Sequence, residues 1–284
     1  MPWAAVIGSP IDHSLSPVLH RAAWDSLGLG DDWVYQRIDV RSEDAADFVW
    51  GIDSQCRGLS VTMPCKQVLL GAMDAVDPLA QAVGALNTVI PSAGILTGFN
   101  TDVHGIVRAL EQARSSRGLT STEVAVILGG RATASSALAA LGTLGFRHVI
   151  VVARRFSGSG SVLGASMRLG IPVEQIMWAD RERVLTALSQ ADILVSTVPR
   201  GVADDLAADL KVRVDQTLLD VVYSPRNTAL RSAYERAGAC VAEGTEMLLQ
   251  QAMLQVRLMT GQDPDAGPMR LALARELDNR GETS

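Results

Sequence analysis

Apolar runs of strand length alternate with stretches of helical period along most of this chain. Strands buried on both faces read as continuous apolar runs and helices as periodic stripes, so the alternation predicts an α/β architecture on parallel sheets. A first series of predicted strands covers 3–7, 33–40, 58–62, 86–90 and 95–98. A second covers 124–128, 148–152, 192–196, 217–222 and 239–242. Two series imply two sheets. The division falls where a predicted helix over 103–113 runs into the polar stretch 114–122. After the last strand the spacing predicts a long helix over 246–259. Its apolar residues, among them Met247, Leu249, Met253 and Leu258, need a surface to bury against, and the first domain is the expected one.

Composition narrows this picture. With 284 residues, 48% of them hydrophobic, the chain can bury one large core or two ordinary ones. Its 25 basic and 31 acidic residues give a net charge of -6, and no Lys/Arg stripe suited to a phosphate backbone stands out, so nucleic acid is not an expected partner. Cys56, Cys65 and Cys240 are too scattered for a disulfide framework or a CxxC zinc pair, and the four histidines lack ligand spacing, so no metal is expected. No apolar stretch reaches the roughly 20 residues needed to cross a bilayer, and the apolar N-terminal run lacks a basic flank. A cytoplasmic protein without membrane contact is the expectation. The run SGSGS at 157–161 reads as a flexible loop.

Three polar loops in the first half carry candidate chemistry. HSLSP at 13–17 places Ser16 as a helix N-cap before Pro17, and Ser14 beside it adds a second hydroxyl, a seat for a carboxylate. SVTMPCK at 60–66 ends a strand and puts Lys66 in a first helical turn, where the helix dipole favours its neutral form; the lysine is either simply solvated or a proton shuttle. GFNTD at 98–102 sets Asp102 directly before a helix, as an N-cap or as a carboxylate partner for that lysine. Strand ends of one open α/β sheet gather in one crevice, so three such loops suggest a site for a polar, anionic molecule.

Taken together, GSPIDHSLSP (8–17), SVTMPCK (60–66), GALNTV (84–89), GFNTD (98–102), STVPRG (196–201), LLDVVYSPRNTAL (218–230) and EGTEMLLQQA (243–252) resemble the shikimate dehydrogenase family, several of them in the style of its actinobacterial members. The resemblance implies a substrate-binding catalytic domain at 1–103, a Rossmann-like doubly wound NADP-binding domain at 104–243, and C-terminal helices at 244–284 packing back on the first domain. It implies reversible NADP-dependent reduction of 3-dehydroshikimate to shikimate, in aromatic amino-acid biosynthesis, by a monomer or homodimer. Lys66 and Asp102 would be the catalytic pair. Ser14 and Ser16 would hold the substrate carboxylate. Thr62, Asn87, Asp102 and Gln251 would bond the ring hydroxyls, with Tyr223 and Gln251 reaching the substrate from the far side of a cleft that closes. Read without the resemblance, Asn87 is a turn residue and Gln251 a solvated helix position.

The family's second domain normally begins with a strand followed by G-x-G-G. Here Gly129 keeps the first glycine, Gly130 follows, and Arg131 and Ala132 stand at the second and third. Glycine there lets the backbone approach a pyrophosphate. Arg131 would crowd that group, supply a guanidinium to it, or distort a turn that needs positive φ. Some 25 residues on, the strand HVIVV ends in Ala153, Arg154 and Arg155 with no acid over 153–160, which reads either as a basic surface loop or as a ribose-reading loop whose cofactor would be NADP rather than NAD. Arg154 would contact the 2′-phosphate and Arg155 add to it, while Thr197, Val198, Gly244 and Met247 would line the nicotinamide pocket. Two alternatives accompany this reading: a paralogue acting on quinate or aminoshikimate, and a non-catalytic shikimate-binding homologue with an impaired cofactor turn.

Overall fold

The computed structural model describes residues 1–30, 32–158, 160–223 and 227–281. Ser159 of the SGSGS run, Ser224 to Arg226 of LLDVVYSPRNTAL and the last three residues therefore lie outside the described residues. The chain forms two compact units, Met1–Asp102 together with Leu249–Arg280, and Val103–Leu248.

In the first unit the order is β1 (Trp3–Gly8), α1 (Ser16–Ser26), β2 (Val34–Asp39), α2 (Ala45–Trp50), β3 (Cys56–Val61), α3 (Cys65–Val68), a 3₁₀ turn (Leu69–Ala72), β4 (Ala75–Val76), α4 (Pro78–Val83), β5 (Thr88–Ser92) and β6 (Ile95–Phe99). The strands lie in the order β2-β1-β3-β5-β6-β4. Ile7, Leu59, Leu86 and Val89 belong to one apolar cluster with Val49 and Leu69 from the elements packed above them.

The sheet departs from the all-parallel expectation in one place: β5 runs antiparallel to both β3 and β6. Between β5 and β6 stand Ala93 and Gly94 with φ of 50° and 80°. Positive φ at both central residues suits the tight turn of a β-hairpin, whereas a parallel crossover needs a dozen or more residues. Two strands were not legible in the pattern. β4 is two residues long, and β9 (Val173–Met177) has a single buried residue, Ile176.

α5 (Asp102–Ser115) starts on Asp102, the last residue of the first unit's segment, and leads into the second unit, which continues through β7 (Val124–Leu128), α6 (Ala132–Thr143), β8 (His148–Ala153), α7 (Val162–Leu169), β9, α8 (Arg181–Gln190), β10 (Ile193–Ser196), α9 (Asp204–Asp209), β11 (Thr217–Asp220), α10 (Ala229–Arg236) and β12 (Cys240–Ala242). All pairs are parallel, in the order β12-β11-β10-β7-β8-β9. The chain thus starts in the middle, winds outward through β8 and β9, then returns to fill the other side. That reversal between β7 and β10 is the switch point at which doubly wound sheets bind nucleotides. α11 (Gly244–Thr260) and α12 (Ala266–Asn279) end the chain, and α12 packs on α1. Among the described residues no helix is long and apolar enough to cross a membrane.

Candidate active site

Lys66 Nζ stands 2.5 Å from Asp102 Oδ2, with side chains 15% and 6% exposed. Three loops converge to make this pair. Leu86 N–H donates to Lys66 O and Asn87 N–H to Phe99 O, both at 2.9 Å, which ties the loops after β3, before β5 and after β6 to one another. The dipole argument for Lys66 carries little here, because α3 has only four residues; the carboxylate of Asp102 is the dominant neighbour. Asp102 is the first residue of α5 rather than its N-cap, and its side chain is spent on Lys66 and Asn87.

Asn87 is 2% exposed and is no solvated turn residue. Its Oδ1 accepts from Thr101 N–H at 2.8 Å and from the Thr88 hydroxyl at 3.0 Å. With the oxygen so engaged, Nδ2 faces acceptors: Asp102 Oδ1 and Thr101 Oγ1 at 2.8 Å each, and Gln251 Oε1 at 3.3 Å. A buried carboxylate is tolerable only when its oxygens are bonded, and here each has one donor from this group. Gln251 corrects two expectations. It is 6% exposed, not solvated, and it belongs to the same unit as Asn87 rather than reaching across from the other, because residues from Leu249 onward pack with the first unit.

Ser14 and Ser16 are placed by a different set of contacts. Leu15, not Ser16, occupies the N-cap of α1, in helical backbone geometry, and its own side chain makes no capping bond. Ser14 O accepts from Arg37 Nε and Nη2 at 3.1 and 2.7 Å, while Ser14 Oγ accepts from Ser16 N–H at 3.3 Å. Beneath them His20 Nδ1 bonds Ser16 O at 2.9 Å and its ring stacks on Tyr35 at 4.3 Å. Burial pushes His20 down to about 4 and the Tyr35 phenol above its ordinary range. Thr62 lies against Gly8: a Cβ there would stand 2.5 Å from Thr62 Cγ2 and 2.4 Å from Met63 O. Ser9 N–H also donates to Met63 O at 2.9 Å, so the stretches 8–17 and 60–66 adjoin at the ends of neighbouring strands.

The sequence reading missed Gln255, Thr101 and Tyr35. Gln255 Nε2 donates to Asn87 O and Thr88 Oγ1 at 2.9 Å each, and its Oε1 accepts from the Ser60 hydroxyl at 2.9 Å. Tyr35 OH donates in turn to Ser60 Oγ at 2.6 Å. The available signal was two glutamines, Gln251 and Gln255, four apart on one face of a largely apolar helix.

In the second unit Gly129 has φ +122°, and a Cβ there would lie 2.1 Å from Thr197 Oγ1, so the position admits glycine alone. Thr197 is fixed by its own N–H and hydroxyl, both donating to Leu128 O at 2.8 Å. This brings the loops after β7 and β10 together at the switch point. Arg131 takes φ −118° and ψ −160°, ordinary extended backbone, so the expected distortion does not fall on it. The 12-residue α6 begins at Ala132, directly behind the turn, and its first N–H groups suit a pyrophosphate. Arg154 and Arg155 follow β8 and are exposed. Val198 packs partly buried on the second core. Gly244 opens α11, where a Cβ would meet Asp220 O at 2.6 Å; Met247 is 8% exposed and Tyr223 half-buried. These residues fit a dinucleotide with a 2′-phosphate: a close-approach glycine, a helix start and exposed arginines. No group of three or more His, Cys, Asp or Glu among the described residues could hold a metal ion.

The family model for the shikimate dehydrogenase substrate binding domain matches residues 6–89, and that for the shikimate 5′-dehydrogenase C-terminal domain matches 244–273. The shikimate dehydrogenase (NADP(+)) of Citrifermentans bemidjiense is 36% identical over 285 residues, covering 98% of this chain and 96% of that protein. The crystal structure of Mycobacterium tuberculosis shikimate dehydrogenase matches with a TM-score of 0.85 at 34% identity, over 97% of this chain and 100% of that one. Shikimate 5-dehydrogenase from Thermus thermophilus, solved in complex with NADP(H) and shikimate, gives 0.81 at 30% identity, over 97% and 99%. On this similarity along nearly its whole length, the chain belongs to the shikimate dehydrogenase family.

Proposed function

We propose that this protein reversibly reduces 3-dehydroshikimate to shikimate with NADPH, with Lys66 and Asp102 as its catalytic pair. The observation that carries the reading is the 2.5 Å contact between Lys66 Nζ and Asp102 Oδ2, whose second oxygen accepts from Asn87. The nicotinamide, when bound, supplies the hydride. As the hydride reaches the C3 carbonyl carbon, the carbonyl oxygen gathers negative charge and needs a proton within about 3 Å. The Lys66 ammonium gives that proton and steadies the developing charge; in the oxidation direction the amine takes it back. Asp102 aims Lys66 and accepts from a neighbouring hydroxyl.

The remaining roles follow the family pattern. Ser14 and Ser16 hold the carboxylate, and Thr62, Asn87, Gln251 and Tyr223 bond the ring hydroxyls. Gly129, Gly130, Arg131 and Ala132 present their backbone to the pyrophosphate. Arg154 and Arg155 take the 2′-phosphate, and Thr197, Val198, Gly244 and Met247 face the nicotinamide.

The test is NADP⁺ reduction by the purified protein with shikimate at alkaline pH, beside quinate and NAD⁺. Turnover with shikimate and NADP⁺ is expected. Turnover with quinate alone would move the substrate assignment, and shikimate binding without NADPH binding would make this a binding protein instead.

A further inference from the structure

At the turn where the family resemblance implies glycine this chain carries Arg131, whose side chain lies beside Gly158. Its Nη1 lies 3.6 Å from the point where a Cβ would stand on Gly158. Gly158 belongs to the loop after β8, the loop that opens with Arg154 and Arg155. The two segments pack backbone to backbone: a Cβ on Gly130 would meet Ala153 Cβ at 3.1 Å and Arg155 O at 3.5 Å, and Val162 N–H donates to Gly130 O at 3.1 Å. Arg131 is exposed, and no acidic residue stands between 153 and 160. Its guanidinium thus leans along the end of β8 toward the ribose-reading loop, leaving the N–H groups at the start of α6 for the pyrophosphate.

We infer that Arg131 is a specificity-determining residue, a third arginine for the 2′-phosphate of NADP(H). The inference rests on the proposed function. A 2′-phosphate monoester carries close to two negative charges and three acceptor oxygens, and arginine's fork suits such a group better than a point charge. On this account the departure from G-x-G-G is a gain of cofactor selectivity: the extended backbone at Arg131 costs nothing that glycine would save, and the side chain adds a contact that only a 2′-phosphorylated cofactor uses.

Direct titration tests it without turnover, with NADPH, NADH, adenosine 2′,5′-bisphosphate and 5′-AMP as ligands for wild type, Arg131→Ala and Arg131→Lys. Arg131→Ala is expected to weaken NADPH and the bisphosphate about tenfold, the scale of one charge-assisted hydrogen bond, while NADH and 5′-AMP change less than about twofold. Arg131→Lys should keep part of the effect, and unchanged NADH binding shows that the variant is folded. Equal weakening of NADPH and NADH would place the guanidinium on the pyrophosphate and overturn the inference. Tighter NADPH binding by Arg131→Ala, or no change, would overturn it as well. A wild type that binds no NADPH would overturn the proposed function and this inference with it, an outcome distinct from a null effect of the substitution alone.

Discussion

Asn87 and Gln255, 168 positions apart, are joined where Gln255 Nε2 donates to the Asn87 carbonyl at 2.9 Å. The same amide nitrogen bonds Thr88 Oγ1, whose hydroxyl bonds Asn87 Oδ1, so Gln255 holds both the backbone and, through Thr88, the side-chain amide that faces Asp102. Replacing Gln255 by leucine would leave the buried Ser60 hydroxyl without its acceptor and take one donor each from Thr88 Oγ1 and the Asn87 carbonyl, which keeps Val61 N–H at 2.7 Å. An orphaned buried group costs about 1–3 kcal/mol, so urea unfolding should show a loss of about that size. Unchanged stability would mean that the network is dispensable.

Lys66→Ala should lower kcat by roughly 10²- to 10⁴-fold, the usual range for a lost general acid, with KM for shikimate altered only a few-fold. Asp102→Ala should damage both constants, since Asp102 bonds Lys66 and Asn87 and, in the proposed function, accepts from substrate. Steady-state kinetics with NADP⁺ separates the two. Equal loss of affinity and turnover in Lys66→Ala would contradict its role as proton donor.

Gly129→Ala should cost about 1–3 kcal/mol from the positive φ alone, and the added methyl would collide with Thr197 Oγ1. NADPH affinity should fall more than about tenfold, because the turn must shift. Combining it with Thr197→Ala should recover part of the stability by removing the clash and leave the φ strain. A strictly additive double mutant would show that the two loops are not coupled.

Acid should destabilise the protein through His20. The unfolded chain takes up this proton near pH 6.5, whereas burial holds the folded imidazole at about 4. Its Nε2 is buried without a hydrogen-bond partner among the described residues, so nothing receives a second proton. The unfolded state binds more protons between those values, and stability therefore falls as pH drops from about 6.5 to 4, by about 3 kcal/mol for this group. Asp220, whose carboxyl is raised by burial, acts in the opposite sense, so the informative quantity is the difference between wild type and His20→Phe in urea unfolding at pH 7 and 4.5. Parallel curves would remove His20 as the cause.

The sequence by itself determined the two series of strands, because residues such as those of VAVIL and HVIVV are buried on both faces of a parallel sheet and leave continuous apolar runs. It also determined the residues of the polar loops, since a strand-to-helix turn has to be written in glycine, proline and hydroxyl-bearing residues close together in the chain. Tertiary structure alone decided the reversal of β5, the burial of Gln251 beside Asn87 and the part played by Gln255, which bonds Ser60 across 195 positions. It also decided that the Arg131 side chain lies beside Gly158. Local pattern records what a residue's neighbours in the chain require of it. Which side chains meet across a sheet, and which way a long flexible one lies, depends on packing between segments far apart, and no local pattern carries that information.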